Sequence, residues 1–402
     1  MFLRIFSNNS IRVIIIVLVL AIVLVPVTAF CGGCGETKKS NTFTELLGLV
    51  PAEAAEAAPP VCFVLIDYAS FYRDNDITFT TIEDLVTEIK KKPHEVFMNM
   101  PGEGSFITGY SPYAEHSTIK KQYVGYDVGD VDAEILFGTS PAEGVSAIGR
   151  FNPEATKEAF NNRDEWPDWA VAEYATEEYQ GVTIHSWGDG FKMHFTPQNV
   201  NSLCAPHIDS LGRAMPLAVT DKYLFYHPSQ ESVRKMIDAS QKKRKSLEDL
   251  PEYTVLIDHL EKYHIYSVVL GNAATANFFI SDIRDSKQLT EENKGTRIAG
   301  LGTPLKKFLT CGCGSGYDKK GTFAIFVVYH ENSNDARENV PLFKQRLVNQ
   351  TSLLSDKSWA ELVKDFEIEA HGQVMIARLY TDSPALRSSW IFSHDNLLYH
   401  EE

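Results

Sequence analysis

Residues 217–227 read LAVTDKYLFYH and residues 390–400 read WIFSHDNLLYH, and the two stretches align without a gap. In each, an aspartate and a polar neighbour (Asp221 with Lys222, Asp395 with Asn396) sit between apolar runs, and the second run ends in Tyr and His. Two such runs around a two-residue polar turn predict a β-hairpin. Upstream the order also matches. Gly144 to Phe160, a strand and then a helix, corresponds to Gly321 to Val348, and Tyr179 to Trp187 (YQGVTIHSW) corresponds to Ala370 to Tyr380 (AHGQVMIARLY). A recurring unit of this kind predicts two related lobes, 61–245 and 246–402. Hairpins in place of long crossovers predict antiparallel pairing, so the expected class is α+β, with antiparallel sheet and helices packed on one face.

The remaining elements fit that plan. Val61 to Asp67 (VCFVLID) is a continuous apolar run of the kind a buried strand shows. Thr80 to Lys92 carries a capping-box pair, Thr80 with Glu83, and an apolar face of Ile82, Leu85, Val86 and Ile89, which predicts a helix stopped by Pro93. Gln122 to Val128 and Asp132 to Phe137 are expected to pair across Gly129 and Asp130, and Phe191 to Phe195 to return from the strand Gly181 to Trp187. Asn152 before Pro153 reads as a helix cap followed by proline at the first helical position. Ser229 caps another helix, with Glu231 in its first turn and Lys242 to Lys245 crowding its end.

Several of these residues carry a resemblance. Val50, Pro51 and Ala52 precede an apolar strand ending in Asp67. Gly149, Arg150, Phe151, Asn152 and Pro153 then open a helix, and Tyr179, Gln180, Gly181 and Val182 follow. In this order residues 50–245 resemble an uncharacterised family of bacterial exported, membrane-anchored proteins built of paired αβ lobes. The resemblance implies a fold and a location and no activity. It does not extend to Asn272 to Gly316.

The amino-terminal stretch sets the expected compartment. Thirteen consecutive apolar residues, Val13 to Val25, follow Arg4 and Arg12, and Pro26, Val27, Thr28 and Ala29 close the run. A charged start, an apolar centre and a small-residue tail make residues 1–30 a signal peptide or membrane anchor. Three outcomes fit: cleavage after Ala29, a lipid on Cys34 or less readily on Cys31, or an uncleaved helix from Ile11 to Phe30. All three place the body of the chain outside the cytoplasm, because arginines ahead of such a run stay inside. Residues 31–60, polar and then Ala/Glu-rich up to Pro59 and Pro60, read as a linker.

Composition narrows the function classes. The chain of 402 residues has 38 basic and 53 acidic side chains, a net charge of −15, and loss of residues 1–30 would remove only Arg4 and Arg12. That balance argues against nucleic acid and against adhesion to anionic lipid as partners. The expected partners are the membrane, through the N-terminal segment, and an envelope protein or small ligand of unknown identity.

The chemistry-bearing residues are few. In an oxidising compartment Cys311 and Cys313, together with Cys204 and Cys62, are candidates for disulfide or redox roles. Four thiolates, Cys31 with Cys34 and Cys311 with Cys313, suit zinc in kind, but only the first pair has the spacing structural sites use, so no metal ligand and no cofactor is assigned. Thiol exchange needs a lowered thiol pKa from a helix start or cation, and only Lys306, Lys307, Lys319 and Lys320 flank the loop. His185 and His194 are expected on neighbouring strands, whereas His259 and His264, five apart, do not share a helix face. His227 and His400 close the two matched hairpins, which favours a structural role. Trp166, Pro167, Asp168 and Trp169 form a possible aromatic platform or a plain lobe edge. No serine elbow or phosphate loop is present, and no catalytic residue is assigned. The expected role is binding or structure at the cell envelope, the alternative being thiol-disulfide or metal-dependent activity at Cys311 and Cys313.

Overall fold

The computed structural model describes residues 42–57, 62–79, 87–88, 91–93, 96, 124–126, 128–138, 142–163, 168–192, 216–277, 290–352, 357–382 and 397–400. The predicted helix at Thr80 to Lys92 falls almost wholly outside them, as do Cys31, Cys34, Cys204 and His194. The strands are β1 (Phe63–Asp67), β2 (Val131–Phe137), β3 (Gly144–Gly149), β4 (Tyr174–Tyr179), β5 (Val182–Trp187), β6 (Leu217–Val219), β7 (Tyr223–Tyr226), β8 (Ser267–Asn272), β9 (Thr310–Asp318), β10 (Gly321–Tyr329), β11 (Asp365–His371) and β12 (Val374–Tyr380). They form one sheet in the order β11-β12-β10-β9-β8-β1-β2-β3-β7-β6-β5-β4, and every ladder in it is antiparallel.

At the middle of the sheet β1 pairs with β2 on one side and β8 on the other. Its sequence explains the position. A strand with apolar residues at successive positions has no polar face to give to water, so it must be covered on both sides. Phe63 and Leu65 accordingly face one core, while Val64 and Ile66 face the other.

The helices are α1 (Thr42–Leu47), α2 (Tyr68–Asp74), α3 (Pro153–Asn161), α4 (Asp168–Glu173), α5 (Gln230–Ser240), α6 (Pro251–Leu260), α7 (Glu291–Gly300), α8 (Ser333–Asn349) and α9 (Trp359–Leu362). The α+β class expected from the sequence is the class observed. The expectation of helices on one face is corrected. Helices α1, α5 and α6 bury Leu46, Met236 and Leu256 against the face carrying Phe63 and Ile325. On the opposite face α8 and α9 bury Phe343 and Trp359 against Phe326, and α3 buries Phe160 beside Trp187. Because β10 (GTFAIFVVY) is apolar at consecutive positions, Phe323, Ile325 and Val327 fill one core while Ala324, Phe326 and Val328 fill the other.

The local signals behave as their chemistry dictates. Asn152 caps α3, its side-chain oxygen accepting from the Glu154 and Ala155 amides, with Pro153 at the first helical position. Ser229 caps α5 and accepts from the Ser232 amide. Helix α5 stops at Ser240, and Lys242 lies beyond it at φ 57°. The stretch Leu217 to His227 forms the hairpin β6-β7. Of its counterpart only residues 397–400 are described, and there His400 makes an isolated parallel bridge to Leu305. Strand, helix and hairpin recur as β3, α3, β4-β5 and as β10, α8, β11-β12. The β6-β7 hairpin is intercalated between β3 and β5, whereas β10 pairs directly with β12.

Three local expectations are corrected. The described part of 122–128 is not a strand, and β2 pairs instead with β1 and β3. Strand β5 finds its hairpin partner in β4, through Gln180 and Gly181, both at positive φ (54° and 80°), as a two-residue turn matched to strand twist requires. The linker reading fails for residues 42–57. Phe43, Leu46, Leu47, Leu49 and Val50 are buried in the core, and Pro51 bridges Ser246. The sequence offers those apolar residues beside an Ala/Glu-rich tail, and their burial depends on α5 and α6 arriving from far along the chain.

Leu46→Ala should therefore cost roughly 2–5 kcal/mol in a urea titration. A spacer residue would change stability by no more than about 0.5 kcal/mol.

Candidate functional site

Strand β9 holds the strongest candidate from the sequence, and its composition has a packing origin. Residues on a strand alternate faces, so Cys311 and Cys313 point to one side while Gly312, Gly314 and Gly316 turn to the other. On the glycine side α6 and the segment after it lie directly on the sheet. A Cβ on Gly312 would stand 2.7 Å from Leu270 Cδ2 and 3.2 Å from Leu260 Cδ1. One on Gly314 would stand 2.7 Å from Ile265 Cγ2, and one on Gly316 3.0 Å from the His264 carbonyl. The glycines make room for a close helix. On the thiol side Cys311 and Cys313 are fully buried beside Phe326, Phe343 and Met375.

No disulfide joins Cys62, Cys311 and Cys313 to one another, which corrects the disulfide expectation among these three. Two side chains two residues apart on one strand stand about 7 Å apart, whereas a disulfide needs Cβ atoms within roughly 4.5 Å. The register places Cys62 two strands from Cys311, with Gly271 between them. Burial pushes the Cys311 thiol well above its ordinary pKa, reinforced by Cys313 and Cys62, and it pushes Cys62 up to about 12. Thiol exchange needs the opposite shift.

The histidines are scattered, His185, His227, His330 and His400 buried, His259 half-buried, and His264 and His371 exposed. His185 on β5 is buried, its Nδ1 2.8 Å from Tyr174 Oη, its ring edge-on to Phe160 at 4.7 Å. The Arg163 guanidinium sits 4.1 Å over the Tyr174 ring. Burial lowers the His185 pKa to about 4. His227 is buried, accepting from the Ser229 amide at 2.9 Å and stacked on Phe137. His259 on α6 meets the His371 ring at 6.4 Å, and His264 lies beyond the helix end. Among the described residues no group of three or more His, Cys, Asp or Glu side chains is arranged to hold a metal ion. Of the tryptophan-rich segment, Trp166 and Pro167 lie outside the described residues, and Asp168 opens α4.

Sequence reasoning missed a buried polar cluster at the end of the second thiol-side core. Arg346 on α8 is 3% exposed. Its guanidinium donates to the carbonyls of Leu397, Thr303 and Tyr399, and its Nε has no hydrogen-bond partner among the described residues. Burial lowers its pKa to about 10, so it remains charged at neutral pH. Two turns earlier Asn339, fully buried, accepts from the Lys306 amide at 2.6 Å and donates to the Lys306 carbonyl at 3.0 Å. Its Nδ2 also contacts His330 Nε2 at 2.7 Å. His330 Nδ1 faces the Gln373 carbonyl at 3.1 Å, and His400 Nδ1 the Leu398 carbonyl at 3.0 Å. The one sequence signal was Asn339 and Arg346 seven apart in a helix, which places them on one face two turns apart.

No family model matches the chain, and no curated relative matches it. Among solved structures it is similar to crystal form I of a protein designated TP0453, at 10% identity over 88% of this chain and 97% of that chain, with a TM-score of 0.37. Crystal form III of that protein is matched at 11% identity over 85% and 96% of the two chains, also at 0.37. At such scores the likeness carries no argument about this chain.

Two outcomes follow. In native protein, thiol reagents should leave Cys311 and Cys313 unmodified until denaturant is added, read by peptide mass spectrometry, and Gly312→Val should destabilise by about 1–3 kcal/mol or more. Stability should also depend on pH. His185 and His400 are both lowered to about 4 by burial, so the folded state holds them neutral while the unfolded chain takes up protons near pH 6.5. Their contribution is complete above pH 6.5 and is lost as pH falls towards 4, by roughly 3 kcal/mol each. Urea midpoints measured from pH 8 to pH 4.5 should be flat at first and then fall.

Proposed function

We propose that this chain is an exported, membrane-tethered protein with a binding or structural role at the cell envelope, in keeping with the family that residues 50–245 resemble. The observation that carries the reading is the apolar run Val13 to Val25 behind two arginines, close ahead of a folded body whose first core residue is Phe43. From Cys34 to Thr42 is eight residues, a reach of at most about 28 Å, so a lipid or helix at that end holds the sheet near the bilayer. A role without catalysis is supported by the use the fold makes of its reactive groups. Cys311 and Cys313 fill a core, and His330 with Asn339 and Arg346 fixes chain segments to α8. The thiol-disulfide alternative runs against the raised thiol pKa.

Intact-mass analysis of the chain recovered from membrane and soluble fractions tests the proposal. The expected result is a membrane-associated species beginning at a lipidated Cys34 or Cys31 or at an uncleaved Met1, whereas a soluble species beginning at Phe30 would keep export and refute the tether. Recovery of the full chain from the cytosol alone would refute it.

A further inference from the structure

The cluster around Arg346 and His330 joins three separate segments: 303–308, the strand end at Tyr329 and His330 with α8, and 397–400. Its hydrogen bonds admit one protonation state. Asn339 is held by both backbone groups of Lys306, so its amide oxygen faces the Lys306 N–H and its NH2 faces His330. His330 Nε2 must therefore accept, and Nδ1 must carry the proton it donates to Gln373. A second proton on Nε2 would set donor against donor at 2.7 Å. Turning the amide to relieve this would break both bonds to Lys306.

The neighbouring groups oppose protonation as well. Arg346 and Lys307 act on His400 as like charges, and His330 adds to them when protonated. Phe308 lies between the two imidazoles, 6.2 Å from His330 and 4.2 Å from His400. Asp335 on α8 is the carboxylate that favours charge on His330, and Asn332 already holds it at 2.6 Å. Lys306 and Tyr399 also meet the cluster, and Glu401 and Glu402, next in the chain, lie outside the described residues. Around the cluster Leu305, Phe308, Leu397 and Leu398 are almost wholly buried.

We propose that this cluster is an acid-released latch: protonation of His330 and His400 frees residues 303–308 and 397–400 from α8 and uncovers the apolar side chains there, while the sheet stays folded. The closed form loses up to about tenfold per pH unit for each histidine below its ordinary value. The release is local because few polar contacts besides the α8 side chains hold the segments: Leu305 N donates to the Tyr399 carbonyl, which joins the two segments to each other, and Asn277 Nδ2 donates to the His400 carbonyl at 3.3 Å.

Hydrogen exchange of the intact chain from pH 7 to pH 5, corrected for the intrinsic rate, tests it. Peptides covering 303–308 and 397–400 should lose at least about tenfold more protection than peptides over β1 and β2, which carry only the global loss of stability that His185 brings. The double variant His330→Gln with His400→Asn, whose amides keep a hydrogen-bonding group at each site without titrating, should retain protection at pH 5. The proposal is overturned by parallel loss in β1 and β2, by unchanged protection at pH 5, or by the same pH response in the double variant. Should that variant fail to fold, the regional comparison in the natural chain decides alone.

Discussion

The ladder between β1 and β8 is the joint on which the molecule depends. Phe63 pairs with Leu270, Val64 with Val269 and Leu65 with Val268, and this four-residue register turns two sets of strands into one continuous sheet. A strand at either edge could be lost with local consequences. Loss of β1 would leave β2 and β8 with unpaired edges and remove the residues that bind both cores at the centre. The alternation along β1 sets the allocation of faces, because a slip of one residue would exchange every side chain between the cores.

The same register gives β9 its character. Once β8 is seated on β1, β9 must pass under α6 and the segment after it, where Leu260, Ile265 and the neighbouring-strand side chains Leu270 and Phe323 occupy the space a side chain would need. Glycine at every second position satisfies that approach, and the small thiols between fill the opposite core without forcing α8 outward. A motif that reads as metal or redox chemistry in one dimension is, in three, a strand with one face stripped bare. The N-terminal segment 42–57 obeys a related constraint, since its five buried apolar residues close the glycine-side core where α5 and α6 leave it open.

In the cluster at Arg346 the buried polar groups pair largely with carbonyl dipoles. Three backbone oxygens receive the guanidinium, which lowers the cost of burying its charge. The price of that arrangement is sensitivity to added positive charge, and His330 and His400 are the groups placed to add it. His227, at the matching hairpin end, accepts from a backbone amide and stacks on Phe137, so the two halves use the same residue differently.

By itself the sequence determined the elements whose cause is local. Asn152 with Pro153 and Ser229 start helices because their side chains satisfy nearby amides, and LAVTDKYLFYH folds on itself around Asp221 and Lys222. Antiparallel pairing and the α+β class followed from the spacing of such units. Tertiary structure alone decided what depends on distant partners: that one sheet holds both sets of strands, that helices cover both faces, that Phe43 to Val50 is core, and that Cys311 and Cys313 are buried in a core. It also brought His330, Asn339, Arg346 and His400 together. Hydrophobic periodicity reports which face of an element is apolar, whereas burial, thiol reactivity and hydrogen-bond partners are fixed only when elements far apart in the chain dock against one another.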